Sequence, residues 1–322
     1  MKCYQRIITT IFILILTINA TSVSRAVGND KSKLDKKADE NNFLYPDPII
    51  LPIPGYEFGV PNFANLTKIQ YVAPISNEQI QARTKSKRYN IVGYIFQTNN
   101  VLSVVTPTAI SQRQRLKNTL RQAKDNNCIA AINGGPYNSD GTSSGPLVIQ
   151  GRRVAKDGNS STHVTTGTTN FVGFGTTQNQ QWLMGSFDQF DAGAVNMWNF
   201  VTGFGWLVYN GENVAKNTEN PTGADIAART AIGLDRNSNI LFVVIDGCER
   251  CSRNPGVTLE EIGSILVDLG AWYAINLDGG GSSTMVVDMK VVNQPTCLDV
   301  PFIVCQRPVA TVVCVKSTRY PW

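Results

Sequence analysis

Three polar turns carry the side chains best suited to chemistry: Asn133-Gly134-Gly135, Asp246-Gly247 and Asp278-Gly279-Gly280-Gly281. Each follows a short apolar run, CIAAI, ILFVVI or WYAINL, that reads as a buried strand. Glycines after a polar strand end let the backbone approach a ligand closely and adopt positive φ. Successive free backbone N–H groups in such turns form an anion-binding nest. Ser282, Ser283 and Thr284 follow the third glycine and add donors suited to phosphate oxygens or sugar hydroxyls. Asp246 and Asp278 are the available acid–base pair. Two carboxylates at one cleft suit glycosyl transfer to water: one protonates or stabilises the departing oxygen, and the other acts at the anomeric carbon or activates water. The bland alternative for each is an aspartate that only caps its own turn.

An anionic ligand also needs cations. Arg229 in DIAARTAIGLD and Arg307 in CQRPVATVVCV each precede a hydrophobic strand, and a guanidinium fork fits phosphate oxygens in bidentate geometry. An ordinary surface ion pair is the rival reading for both. Other chemistries fail on context. GGGSST lacks a P-loop lysine, and no G-x-G-x-x-G opens a helix after a strand. No G-x-S-x-G elbow is present, and the sole histidine, His163, sits in the polar stretch NSSTHVTTG. Asp140 and Glu249 rank behind the two strand-end aspartates. Asp140, Asp246 and Asp278 could share a hard cation through oxygen, but the glycosidic reaction does not require one. No metal and no cofactor are expected.

The elements that position these turns begin near residue 69. IQYVAPI and NIVGYIFQ read as strands, and 106–127 as a helix with Ile110, Leu116, Leu120 and Ala123 near one face. GPLVIQGRRV reads as strand–turn–strand, and NFVGFG, QWLMGSF and FGWLVYNGENV as short antiparallel strands. ILFVVI is continuously apolar, as a central strand covered on both faces is. A helix follows at 259–269: Thr258 and Glu261 form a capping box, Val257 is placed for a hydrophobic staple, and Gly270 stops it. Long strands, two helices and hairpins together predict an α+β fold. We expect a mixed, largely antiparallel twisted sheet core with packed helices in a single domain over 69–322.

Ahead of that domain, residues 1–25 have Lys2 and Arg6 before an apolar run from Ile7 to Ile18, followed by small residues, the pattern of a secretory signal peptide. Residues 26–68 read as a flexible charged lead-in and then a Pro-rich extended segment. With the leader removed, 26 basic and 24 acidic residues remain of the 29 and 24 in the whole chain. That near-balance gives no warrant for a nucleic-acid partner. No later stretch is long enough to span a bilayer, so no stable membrane insertion is expected after cleavage, and the protein should be secreted or lysosomal. The six cysteines after the leader allow up to three disulfides, with pairing open; three of them crowd into 297–314. Asn65 and Asn159 are candidate glycan acceptors. The oligomeric state is not readable.

The stretches INGGPYNSDGTSSGPLVIQGR, ARTAIGLD, VVIDG, SRNPGVTLEEIGSILVDLGAWYAINLDGGGSSTMVV and RPVATVVCV resemble the phosphodiester glycosidase family over roughly residues 90–315. The resemblance implies removal of N-acetylglucosamine, or a related α-linked sugar, from a phosphodiester, leaving a phosphomonoester such as mannose 6-phosphate. It also implies that Asn133, Arg229, Asp246, Asp278, Ser283, Thr284, Asn293 and Arg307 match polar positions of the family motifs. Together with Gly134, Gly279, Gly280 and Gly281, these form the expected substrate-binding and catalytic set. The family commonly shows Asp-Gly-Arg where this chain has Asp246-Gly247-Cys248, so that arginine contact either comes from Arg250 or Arg253 or is absent. A secreted sugar-phosphate-binding module without turnover is the alternative from a different class.

Overall fold

A computed structural model describes residues 47–52, 64–74, 88–98, 116–155, 172–179, 181–215, 226–248, 255–298 and 303–316. All of them fall within one unit, Pro46–Trp322; a second unit, Met1–Tyr45, lies outside the described residues, as do His163, Asn159, Glu249, Arg250, Cys251 and Arg253.

In chain order the first elements are β1 (Ile49–Pro52), β2 (Ala64–Pro74), β3 (Arg88–Thr98), α1 (Thr119–Asp125) and β4 (Cys128–Asn133). There follow β5 (Leu147–Ile149), β6 (Arg152–Ala155), β7 (Val172–Thr177), β8 (Gln181–Ser186), α2 (Phe187–Ala192) and β9 (Met197–Thr202). Next come β10 (Gly205–Tyr209), β11 (Glu212–Asn213), β12 (Arg229–Asp235), β13 (Ile240–Ile245), α3 (Leu259–Asp268) and β14 (Ala271–Asn276). A 3-10 turn at Gly280–Ser282 leads to β15 (Met285–Val287), β16 (Lys290–Val291) and β17 (Val312–Lys316). They build three sheets in the orders β1-β8-β7-β9-β5-β6, β11-β10-β14-β12-β13-β3-β2 and β16-β15-β4-β17. The paired strands run antiparallel, as in β12 against β13 and β14, and α3 packs on the seven-stranded sheet. The fold is α+β, as the pattern of elements predicts.

Strand β13 shows why its sequence is apolar throughout. Ile240, Phe242 and Val244 enter one core with Phe174, Trp182, Ile132 and Val313 from the other two sheets. Leu241, Val243 and Ile245 point the other way, onto Ile262, Ile265 and Leu266 of α3. Period-two alternation with both faces covered leaves no polar positions. Helix α3 starts as its sequence dictates: the Thr258 hydroxyl accepts from the Glu261 N–H at 3.1 Å, and Glu261 accepts from the Thr258 N–H at 2.9 Å. Val257 and Ile262 are both fully buried in the same cluster, consistent with the staple. Gly270, at φ 87°, ends it without a Cβ penalty.

Of the helix expected over 106–127, residues 106–115, with Ile110, lie outside the described residues, and the described part holds α1 at Thr119–Asp125. Leu116 and Lys117 precede it in extended chain, Lys117 bridging to Val309, and the Asn118 carboxamide accepts from the Arg121 N–H at 2.8 Å to cap α1. An N-cap side chain outcompetes continued helix there. Residues Ile49–Pro52 of the Pro-rich segment form β1 on the edge of β8, with Ile49 and Leu51 packed on the main core. Helix α2 has no counterpart in the sequence reading; Phe187 and Phe190 seat it on Phe200. Cys314 pairs with Cys128, joining neighbouring strands β4 and β17, and Cys297 pairs with Cys305. Cys248 is also disulfide-bonded.

Candidate active site

The seven-stranded sheet explains how distant residues meet. β12 lies between β13 and β14 and runs antiparallel to both, so its N-terminal end sits between their C-terminal ends. Arg229 begins β12 opposite Ile245, Asp246 follows β13, and Asp278 follows β14 by two residues. The arginine and both aspartates therefore share one end of one sheet. The 279–284 turn is tied to the same end, because the Gly280 N–H donates to the Ala228 carbonyl at 2.8 Å.

The third turn arrives from the four-stranded sheet, at the end of β4. Asn133 is fully buried and its carboxamide is fully used. Its Nδ2 donates to the Asp278 carbonyl at 2.7 Å and, more weakly, to that of Gly134 at 3.4 Å. Its Oδ1 accepts from the Thr230 hydroxyl at 2.9 Å and the Thr284 N–H at 3.1 Å. One side chain thus fastens β4, the start of β12, and both ends of the glycine turn. Gly134 and Gly135 are packed to the limit: a Cβ on Gly134 would overlap the Thr311 hydroxyl, and one on Gly135 the Thr202 carbonyl.

The glycine turn itself is a single 3-10 turn. Gly280 has φ 55°, the left-handed region that favours glycine, and a Cβ on Gly281 would overlap the Arg307 guanidinium. Gly279 approaches the Ala228 carbonyl and the Arg229 stem. Ser282, Ser283 and Thr284 are buried rather than exposed; among the described residues the hydroxyls of Ser283, Thr284 and Thr311 have no hydrogen-bond partner, and that of Ser282 faces only the Tyr137 phenol. Buried hydroxyls without partners are costly, so this group is poised for an oxygen-rich ligand or ordered water. Arg229 and Arg307 are both half-buried, and each orients its guanidinium by donating Nε–H to a backbone carbonyl, Val257 at 3.1 Å and Cys297 at 3.0 Å.

Asp246 is only 2% exposed. Its Oδ1 accepts from Asn293 Nδ2 at 3.0 Å and from the Gln294 N–H at 2.9 Å. Burial pushes the carboxyl above the ordinary aspartate range, and these two donors and Lys68 only partly offset it. Asn293, 7% exposed, accepts from the Met285 N–H at 2.8 Å and donates to the Ser283 carbonyl at 3.1 Å, so it links Asp246 to the glycine turn. Thr296 adds a bond to the Gly247 carbonyl at 2.8 Å.

Two tyrosines escaped the sequence reading. Burial raises the Tyr137 phenol, which donates to the Pro308 carbonyl at 2.8 Å; Ser282 and Arg307 oppose the shift and Asp278 adds to it. Burial likewise raises Tyr94, with Asp246 adding to it. The signal for Tyr137 was its place in GGPYNSDG, directly after the Asn-Gly-Gly turn; Tyr94 has none, because only the β3–β13 register brings it near Asp246. Asp140 is not brought in. It is exposed and held below the usual carboxylate range by the Thr142 hydroxyl and N–H. Among the described residues no three His, Cys, Asp or Glu side chains form a metal-holding cluster, and no helix is long and apolar enough to cross a membrane.

The sequence model of the phosphodiester glycosidase family matches residues 126–316, which contain both aspartates, both arginines and the glycine turn, though not Tyr94 or Lys68. Bovine N-acetylglucosamine-1-phosphodiester alpha-N-acetylglucosaminidase is 31% identical over 216 residues, 61% of this chain and 38% of that protein. The human enzyme of the same name is 36% identical over 134 residues, 37% of this chain and 25% of that protein. The chain thus spans well under half the length of these relatives. The solved catalytic domain of the zebrafish enzyme of that name, auto-inhibited by its pro-peptide, superposes with a TM-score of 0.66 at 21% identity. It covers 84% of this chain and 89% of that one, a likeness of fold.

Proposed function

Since the chain belongs to the phosphodiester glycosidase family, we propose that it hydrolyses the glycosidic bond of an α-linked N-acetylglucosamine, or related sugar, phosphodiester. The products are the free sugar and a phosphomonoester such as mannose 6-phosphate. The observation that carries this reading is the convergence of Arg229, Asp246 and Asp278 with the glycine turn at one end of the seven-stranded sheet. Neither a neutral-sugar binder nor a purely structural turn needs two carboxylates and two oriented guanidiniums around unpartnered hydroxyls.

In this mechanism Arg229, Arg307 and the 279–284 turn bind the phosphodiester. Asp278, half-buried, acts at the anomeric carbon as nucleophile or as base toward water. The C1–O bond breaks, its electron pair leaves with the phosphate, and a water oxygen ends on C1. Phosphate is a good leaving group, so full protonation is unnecessary. Asp246 keeps its proton to higher pH than a free carboxyl and assists the departing oxygen. The leader-like N-terminus and the disulfides Cys128–Cys314 and Cys297–Cys305 support an oxidising compartment, and hence a secreted or lysosomal protein. The test is release of N-acetylglucosamine from its α-phosphate diesters by the purified protein between about pH 4 and 8. Folded protein that releases none over that range removes the proposal.

A further inference from the structure

Both hydrogen bonds that Asp246 receives from described residues end on the same oxygen, Oδ1: one from Asn293 Nδ2 and one from the Gln294 N–H. Oδ2 receives none among the described residues. Asn293 has no spare donor for a ligand, because its second Nδ2 bond goes to the Ser283 carbonyl and its Oδ1 accepts from Met285. A carboxyl oxygen that already accepts two N–H bonds is a poor place for a proton, since an added O–H would face those donors. We propose that Asn293 is a positioning residue for Asp246, which with the Gln294 N–H fixes Oδ1 as the acceptor and leaves Oδ2 as the oxygen that carries the reacting proton. This rests on the glycosidase reading for its reaction, but the placement of the proton does not depend on turnover.

The surroundings agree with that division. Asp246 follows β13, whose neighbour β3 contributes Tyr94 and, one strand further, β2 contributes Lys68. Arg229 begins β12 on the other side, opposite Ile245. Among the described residues, Lys68 acts on the Asp246 carboxyl and Tyr94 feels its charge, while Arg229 stands at the start of the neighbouring strand. Burial raises its carboxyl, and the two N–H donors are the leading opposing influence. Removing one donor therefore moves the carboxyl further up, toward the neutral form. A side chain that merely filled space would leave it unmoved. The arrangement also couples the two halves of the site: the same carboxamide that holds Oδ1 holds Ser283 and Met285, so Asp246 is set at a fixed place relative to the glycine turn.

The experiment uses Asn293→Ala and the near-isosteric Asn293→Asp in the full chain, with Asp246→Asn as reference. Two readouts are taken: the pH profile of kcat/KM on an N-acetylglucosamine α-phosphodiester, and the melting temperature as a function of pH. The limb that Asp246→Asn abolishes should move up by about one pH unit in Asn293→Ala, and further in Asn293→Asp, where a second carboxylate replaces the donor. The melting-temperature titration should move with it, and does so even if no substrate is turned over, so failure of the glycosidase reading and failure of this proposal are separable. A uniform fall in kcat/KM with neither titration displaced overturns it. If neither variant folds, infrared difference spectra of the wild type on acidification decide. The carboxyl band missing from Asp246→Asn should lie at the lowered frequency of a carbonyl that accepts two hydrogen bonds. A band at the frequency of a free carbonyl refutes the assignment of the proton to Oδ2.

Discussion

Gly281→Ala is the sharpest local perturbation of the glycine turn. The new methyl would overlap the Arg307 guanidinium and stand 2.7 Å from the Cys297 carbonyl oxygen, where ordinary contact begins at 3.4 Å. Arg307 and Cys297 cannot yield independently, because the Arg307 Nε–H donates to that same carbonyl at 3.0 Å. Relief must come from a joint retreat of roughly 0.5–1 Å, or from rotation of the guanidinium out of the site. Overpacking of this kind costs about 1–3 kcal/mol, roughly 3–10 °C in Tm for a domain of this size. A lost charge-assisted bond to phosphate is worth about 1.5–3 kcal/mol, so kcat/KM should fall about 10- to 100-fold. Gly280→Ala is the comparator: its penalty is left-handed strain at φ 55°, about 1–2 kcal/mol, and its loss of activity should be smaller. The assay is a melting curve beside kcat/KM for both proteins. Gly281→Ala that folds and retains kcat/KM within about threefold of wild type refutes the reasoning, because Arg307 then contributes nothing at that position.

Asp246→Asn should change the pH dependence of stability. The folded state holds this proton more tightly than the unfolded chain, so wild-type stability is lost as pH rises from about 4 through the raised folded value. The melting temperature of the variant relative to wild type should therefore climb across that window and then level off; an opposite slope contradicts the assignment. Cys128→Ser or Cys314→Ser opens a bridge spanning 186 residues and should cost about 2–5 kcal/mol, read as a denaturant midpoint shift with kcat largely kept. Cys297→Ser with Cys305→Ser opens a span of only 8, about 2–3 kcal/mol, yet should harm KM more, since Cys297 holds Arg307. Asn133→Ala frees the Asp278 carbonyl, the Thr230 hydroxyl and the Thr284 N–H at once, and should destabilise by roughly 3 kcal/mol or more in urea melts.

Local grammar made much of this readable. The Thr258–Glu261 box, the both-faces-apolar β13, and acidic residues where β13 and β14 run out are all written within a few residues of where they act. What could not be read is long-range register. Nothing in ARTAIGLD says that its strand inserts between β13 and β14 in reverse, which is what places Arg229 between the two aspartates. The same gap hid Tyr94 and left the partner of Cys314 open. Asn133 and Asn293 stood out as polar positions, but their types alone could not show that their carboxamides are consumed within the protein. The hydroxyls of Ser282, Ser283 and Thr284 stood out as donors, but nothing in the sequence showed how deeply they are buried.

The central claim is that the sugar–oxygen bond breaks, rather than the phosphorus–oxygen bond. Hydrolysis of an N-acetylglucosamine α-phosphodiester in water enriched in oxygen-18 tests it directly, with products read by mass spectrometry and phosphorus NMR. The label should appear on C1 of the released sugar and be absent from the phosphomonoester, and Asp278→Asn should stop the incorporation. Label in the phosphate would mean attack at phosphorus, and would contradict the placement of Asp278 at the anomeric carbon.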